Sequence, residues 1–225
     1  MKGFFIRLKE VWVILGITLL LFIVVEISFR IYFQFKPATD SRIEADCYQN
    51  TVWVEKYYHE LAACNVSEWK PYVYWQRKPF EGEFININDQ GYRQTVIKPF
   101  PFEQKQNTLK LFFFGGSTMW GSGVRDKFTI PSLVGNELAK NKFSADITNL
   151  GESGYVSMQE VVKLNLELKK GNIPDIVVFY DGANDIFSSL QSGVAGIPQN
   201  ENNRLKEFNT LQEKKKSFLV FMQSL

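Results

Sequence analysis

Leu111-Phe112-Phe113-Phe114 runs without a polar residue into Gly115-Gly116-Ser117-Thr118. Four bulky apolar side chains in a row, after Thr108-Leu109-Lys110, predict a strand covered on both faces, because a strand with one wet face would alternate. Two glycines at its end let the backbone turn sharply and approach whatever lies above the strand. A serine there places its hydroxyl at the carboxyl edge of a sheet, where open α/β folds gather their chemistry. The residue types leave three uses for this turn: a mount for a nucleophile, the start of a phosphate cradle, or a helix cap at Ser117. A phosphate loop needs Gly-x-x-x-x-Gly-Lys-Ser/Thr, and Trp120-Gly121-Ser122 offers no lysine. The dinucleotide fingerprint fails at Ser117, and the α/β-hydrolase elbow fails at Met119.

Two further stretches share the pattern. Ile147-Thr148-Asn149-Leu150 ends in Gly151-Glu152-Ser153-Gly154, and Ile176-Val177-Val178-Phe179-Tyr180 ends in Asp181-Gly182-Ala183-Asn184-Asp185. Between the three strands the spacing predicts helices over Thr129 to Asn141, with Pro131 near the start, and over Met158 to Lys170, closed by Gly171. Strand and helix alternating with short connections make a parallel sheet. All three polar islands then lie on one edge of it. Serine-based acyl transfer needs a nucleophile and donors aimed at the oxygen that becomes negative. The Ser117 and Gly154 backbone N–H groups and the Asn184 carboxamide fit those roles. Glycine admits close approach, and asparagine donates without adding a charge.

These residues resemble the SGNH (GDSL) hydrolases. The serine block is Gly115-Gly116-Ser117-Thr118, with glycine where the family name has aspartate; the oxyanion glycine block is Asn149 to Gly154; the third block is Gly182-Ala183-Asn184-Asp185. The resemblance covers roughly residues 108 to 190. Together with Asn88-Asp89-Gln90-Gly91-Tyr92-Arg93 it looks like the membrane-anchored, extracytoplasmic bacterial members, some of which act on acylated glycans. It implies a three-layer α/β/α (flavodoxin-like) fold, ester hydrolysis or acyl transfer, and Ser117 as nucleophile with Gly154 and Asn184 in the oxyanion hole. No metal or organic cofactor is implied.

The family's last block, Asp-x-x-His, supplies the general base, and a serine hydroxyl is a poor nucleophile without one. The sequence holds one histidine, His59, far upstream of Ser117. The expectation is therefore a sheet incomplete at its C-terminal side, a chain that ends before its base, and inactivity of these 225 residues alone. The competing reading is a non-catalytic, membrane-tethered glycan-binding module.

Val11 to Val25 is apolar apart from Thr18, and the stretch continues beyond Glu26 through Ile27, Phe29, Ile31 and Phe33. That length predicts one membrane span, with Glu26 and Arg30 paired four residues apart. Lys2, Arg7 and Lys9 precede it, so the positive-inside rule puts the N-terminus in the cytoplasm and the rest outside. The absence of an Ala-x-Ala-like site favours an uncleaved anchor over a signal peptide. The expected organisation is an anchor over 1–36, an aromatic-rich connecting or cap region over 37–107, and a hydrolase-like domain over 108–225.

Of 26 basic and 24 acidic residues, the first 36 positions take five and two, leaving 21 and 22. That balance excludes a nucleic-acid partner. The expected partners are the membrane and a small-molecule or polysaccharide ester. Cys47 and Cys64, both in the outer segment, form a disulfide or remain two separate thiols. In the cap region Phe84 to Asn88 alternates as a strand and Asp89-Gln90-Gly91 reads as its turn, with Gly91 and Arg93 serving that turn. Trp69, Tyr72, Tyr74 and Trp75 serve core packing or stack on sugars. After Asp185 a loop is expected, then an amphipathic helix over Leu205 to Met222 acting as a lid or lying on the membrane.

Overall fold

The structure, a computed structural model, describes residues 2–35, 40–98 and 108–210. The expected boundaries at 36/37 and 107/108, and the part of the last amphipathic helix beyond 210, lie outside the described residues. The chain divides into two compact units, 1–52 and 53–225.

The first unit is dominated by α1 (Lys2–Phe35). Its stretch Lys9–Phe33 is 25 residues long, and its most apolar 18-residue window has a mean hydropathy of 2.6 with none of it buried. At about 1.5 Å per residue this exceeds the roughly 30 Å of a bilayer core. A helix apolar on every side gains nothing from one protein face and suits lipid. Its ion pair is satisfied internally: Arg30 meets Glu26 at 2.8 Å. Ser28 Oγ donates to the Val24 carbonyl one turn back, at 2.7 Å.

The second unit runs α2 (Val54–Ala63), β1 (Ser67–Lys70), β2 (Tyr74–Arg77), β3 (Phe80–Glu81), β4 (Asn86–Ile87), β5 (Leu109–Gly115), α3 (Ser117–Trp120), α4 (Ile130–Lys140), β6 (Ala145–Asn149), α5 (Ser157–Lys169), β7 (Ile176–Tyr180) and α6 (Ala183–Ser192). β5 is central, flanked by β6 and β7, and both pairings are parallel. Its alternate side chains face opposite ways. Phe112 and Phe114 pack with Tyr92, Leu150 and Leu164 of α5. Leu111 and Phe113 pack with Ile147 and with Ile130, Val134 and Leu138 of α4. The expected α/β/α layering follows directly from that uninterrupted apolar run.

The helix ends carry the expected chemistry. Thr129 caps α4, Pro131 sits in its first turn, and Gly171 follows α5 in the left-handed region. The register aligns Phe113 with Asn149 and Gly115 with Tyr180, so β5 and β7 end together and β6 ends two residues earlier on the same edge. Upstream, β1 and β2 form one antiparallel hairpin and β3 with β4 another. The Asn88 side chain accepts from the Gln90 and Tyr92 N–H groups, which closes the expected turn.

Two expectations are corrected. The segment after Asp185 is helical (α6) rather than a loop, because its serines bond within or beside the helix. Ser192 Oγ donates to the Ser188 carbonyl at 2.8 Å, Ser188 Oγ donates to the Ile197 carbonyl, and Gly193 ends the helix at φ +74°. The Cys47–Cys64 disulfide is not formed: both are free thiols, Cys47 exposed and Cys64 buried.

Candidate active site

Gly116 brings the Ser117 turn into place. It lies so close to the Asn184 side chain that a Cβ there would collide with Nδ2. The preceding carbonyl, of Gly115, accepts the Glu152 N–H at 2.9 Å, which ties the end of β5 to the turn after β6. Ser117 then opens the single turn of α3, half-buried, and its hydroxyl makes no hydrogen bond to a described residue.

The other two islands arrive at the same point. Asn184, in the first turn of α6, donates through Nδ2 to the Tyr155 carbonyl at 2.8 Å. The same nitrogen faces Gly116, so one carboxamide bridges the turns after β5 and β6. Its second N–H has no described acceptor. Gly154 takes φ +80°, open to glycine at little cost, and the Trp75 ring edge lies 3.4 Å from where its Cβ would stand. Among the described residues, neither the Ser117 nor the Gly154 backbone N–H has an acceptor. Asn184 thus meets the turn bearing Ser117 and the turn bearing Gly154, whose next residue, Tyr155, accepts its Nδ2, at the carboxyl edge of the sheet.

A buried support holds this arrangement. Trp120, three residues beyond Ser117 and fully buried, is sandwiched between two guanidinium groups, Arg77 at 4.0 Å and Arg93 at 4.3 Å. Arg77 bonds Glu152 at 2.6 Å, with both side chains about 5% exposed or less. Glu152 also accepts the Arg77 and Ser153 backbone N–H groups. Arg93 is spent on Asp126 at 2.9 Å and on the Gly121 and Val124 carbonyls. It therefore anchors the loop after α3, not the Asp89-Gln90-Gly91 turn that the sequence assigned it to. The Trp75 indole N–H donates to the Ser153 carbonyl at 3.0 Å, placing β2 beside Gly154.

Under the third island lies a carboxyl group in an unusual state. Glu160 of α5 is fully buried, and its pKa is pushed up to about 8, first by burial and then by the Asp181 and Asp185 carboxyls. Asp185 itself is engaged by Ser157, through its N–H at 3.1 Å and its hydroxyl at 2.6 Å. His59 is exposed on α2 and bonds no described residue. No group of three or more potential metal ligands occurs among the described residues.

Sequence reasoning missed Arg77, Trp120 and Glu160 as parts of this region. Trp120 gave one signal, a large aromatic within one turn of the serine. Arg77 and Glu152 are 75 residues apart and gave none.

No family model and no curated protein matches the chain. Among solved structures it is similar to AlinE4, an SGNH-hydrolase family esterase, at 21% identity and a TM-score of 0.35. Two point mutants of that esterase match alike, with TM-scores of 0.35 and 0.34. The aligned part is 37% of this chain and 45% of that one, so the chain spans under half the length of the esterase it matches.

Proposed function

We propose that this chain is the nucleophile-bearing part of a serine ester hydrolase or O-acyltransferase, held at a membrane by α1 with its second unit outside the cytoplasm. Ser117 attacks an ester carbonyl. The Ser117 and Gly154 N–H groups and the free N–H of Asn184 receive the oxyanion. The single observation supporting this reading is that Asn184 Nδ2 lies against Gly116, next to a serine whose hydroxyl has no described partner, and bonds the carbonyl of Tyr155, the residue after Gly154.

The general base and its orienting carboxylate come from polypeptide outside these 225 residues. The exposed apolar edge formed by Ile176, Phe179 and Tyr180 of β7 and Ile186, Phe187 and Leu190 of α6 supports this. A wet sheet edge carrying that much apolar surface is normally covered. Glycan or lipid esters are the substrates proposed, with water or a sugar hydroxyl as acceptor.

The test is hydrolysis of p-nitrophenyl acetate by the chain in nonionic detergent. The expected rate is that of buffer. Turnover abolished by Ser117→Ala would show that the base lies within the chain. In the protein that also carries the base, Ser117→Ala is expected to cost about 10³-fold or more. Unchanged turnover there would remove Ser117 from the chemistry.

A further inference from the structure

Away from Ser117, the β1–β2 hairpin and α5 enclose a cavity of about 330 Å³. Three of its lining residues are Lys70, Lys163 and Lys170, and no carboxylate lines it. Tyr72, Val73 and Leu166 supply apolar wall. Lys163 is 6% exposed, so its ammonium is buried. It donates to one neutral acceptor, Gln76 Oε1, at 2.7 Å, and lies over the Tyr92 ring at 4.8 Å. The nearby carboxylates are already taken: Glu152 by Arg77, Glu167 by Lys170 and Glu68 by Lys70, which leaves Lys163 as the cation without a carboxylate of its own. A buried cation whose bonded partner is neutral is costly unless an anion joins it.

We propose that this cavity is a binding site for a small organic anion, a phosphate or carboxylate carrying a short apolar body. The anionic head meets Lys163, with Lys70 and Lys170 at the rim, and the body lies against Tyr72, Val73 and Leu166. The volume is at the small end of ligand sites, which limits the guest to a compact molecule. Burial first, and then the like charges of Lys170 and Lys70 against the pull of Glu167 and Glu152, hold the Lys163 pKa down at about 8. Nothing in this site depends on ester hydrolysis at Ser117.

The experiment is calorimetric titration of the whole chain, in nonionic detergent, with hexyl phosphate, hexanol and inorganic phosphate. Hexyl phosphate is expected to bind, hexanol not to bind, and inorganic phosphate to bind more weakly than hexyl phosphate. Lys163→Met and Lys170→Gln should each weaken hexyl phosphate about tenfold, the scale of one lost charge-assisted contact. Lys170 and Tyr72 have exposed side chains, so Lys170→Gln and Tyr72→Ala keep the test valid if Lys163→Met fails to fold. Repeating the titration in phosphatidylglycerol and phosphatidylcholine nanodiscs separates the sources. Loss of binding only in phosphatidylglycerol assigns the site to a lipid headgroup, and equal binding in both assigns it to a soluble anion. No binding of hexyl phosphate in detergent, or binding unchanged by Lys170→Gln and Tyr72→Ala together, overturns the proposal.

Discussion

Glu160 has no charge partner of opposite sign among its named influences, only Asp181 and Asp185, and it is sealed from water. Its folded pKa, about 8, lies above the usual 4.5. The folded state then binds the proton more tightly than the unfolded chain, so stability falls as pH rises from 4.5 towards 8. Glu160→Gln keeps the shape and removes the titration. At pH 8 the variant should be the more stable by about 4 kcal/mol, and the difference should vanish near pH 4.5. Urea unfolding across that range measures it; a difference independent of pH would contradict the assignment. Asn184 makes the matching functional case. Its Nδ2 both fixes the Tyr155 carbonyl and lies over Gly116. In the protein that includes the base, Asn184→Ala should lower kcat by about 10²–10³-fold with little change in KM, as removal of an oxyanion donor does.

At the scale of elements, the turn bearing Ser117 is too short to hold itself. α3 has four residues, and its geometry is set by Trp120 between two arginines. Arg77→Met would leave Glu152 buried without its cation, which should cost about 3–5 kcal/mol. Arg77→Met with Glu152→Leu should recover most of that loss, since no buried charge remains. Denaturation midpoints of the two variants decide it, and equal losses would show that the pair contributes only packing. The same contrast explains what could be read beforehand. β5, β6, β7, α4 and α5 were legible because each is set by its own neighbours: an apolar run, a 3.6-residue period, Thr129 and Pro131 at one end, Gly171 at the other. The approach of Asn184 to the turns after β5 and β6 was legible because parallel strands put their following turns on one edge. The Arg77–Glu152 bond was not, because it joins a hairpin to a turn 75 residues away. α6 was missed because Ser188 and Ser189 suggest a loop, whereas the Ser188 and Ser192 hydroxyls bond backbone carbonyls in and beside the helix.

For the molecule as a whole, the proposed orientation places the second unit outside the cytoplasm, and the two free cysteines test it. Cys47 is exposed and follows the apolar stretch of α1 by fewer than twenty residues, so it reports the compartment just beyond the span. Cys64 is buried, donates to the Leu61 carbonyl, and has its thiol pKa pushed up by burial, which leaves it protonated and shielded. The thiolate is the reactive form, so only Cys47 should react quickly. If the proposed orientation holds, with the N-terminus inside, a membrane-impermeant maleimide added to sealed right-side-out vesicles should label the chain once. Cys47→Ser should abolish that label and Cys64→Ser should not. Labelling that appears only after the vesicles are opened would place Cys47 in the lumen and reverse the orientation. Labelling unaffected by Cys47→Ser would instead mean that Cys64 is reached, which the buried thiol of this fold does not allow.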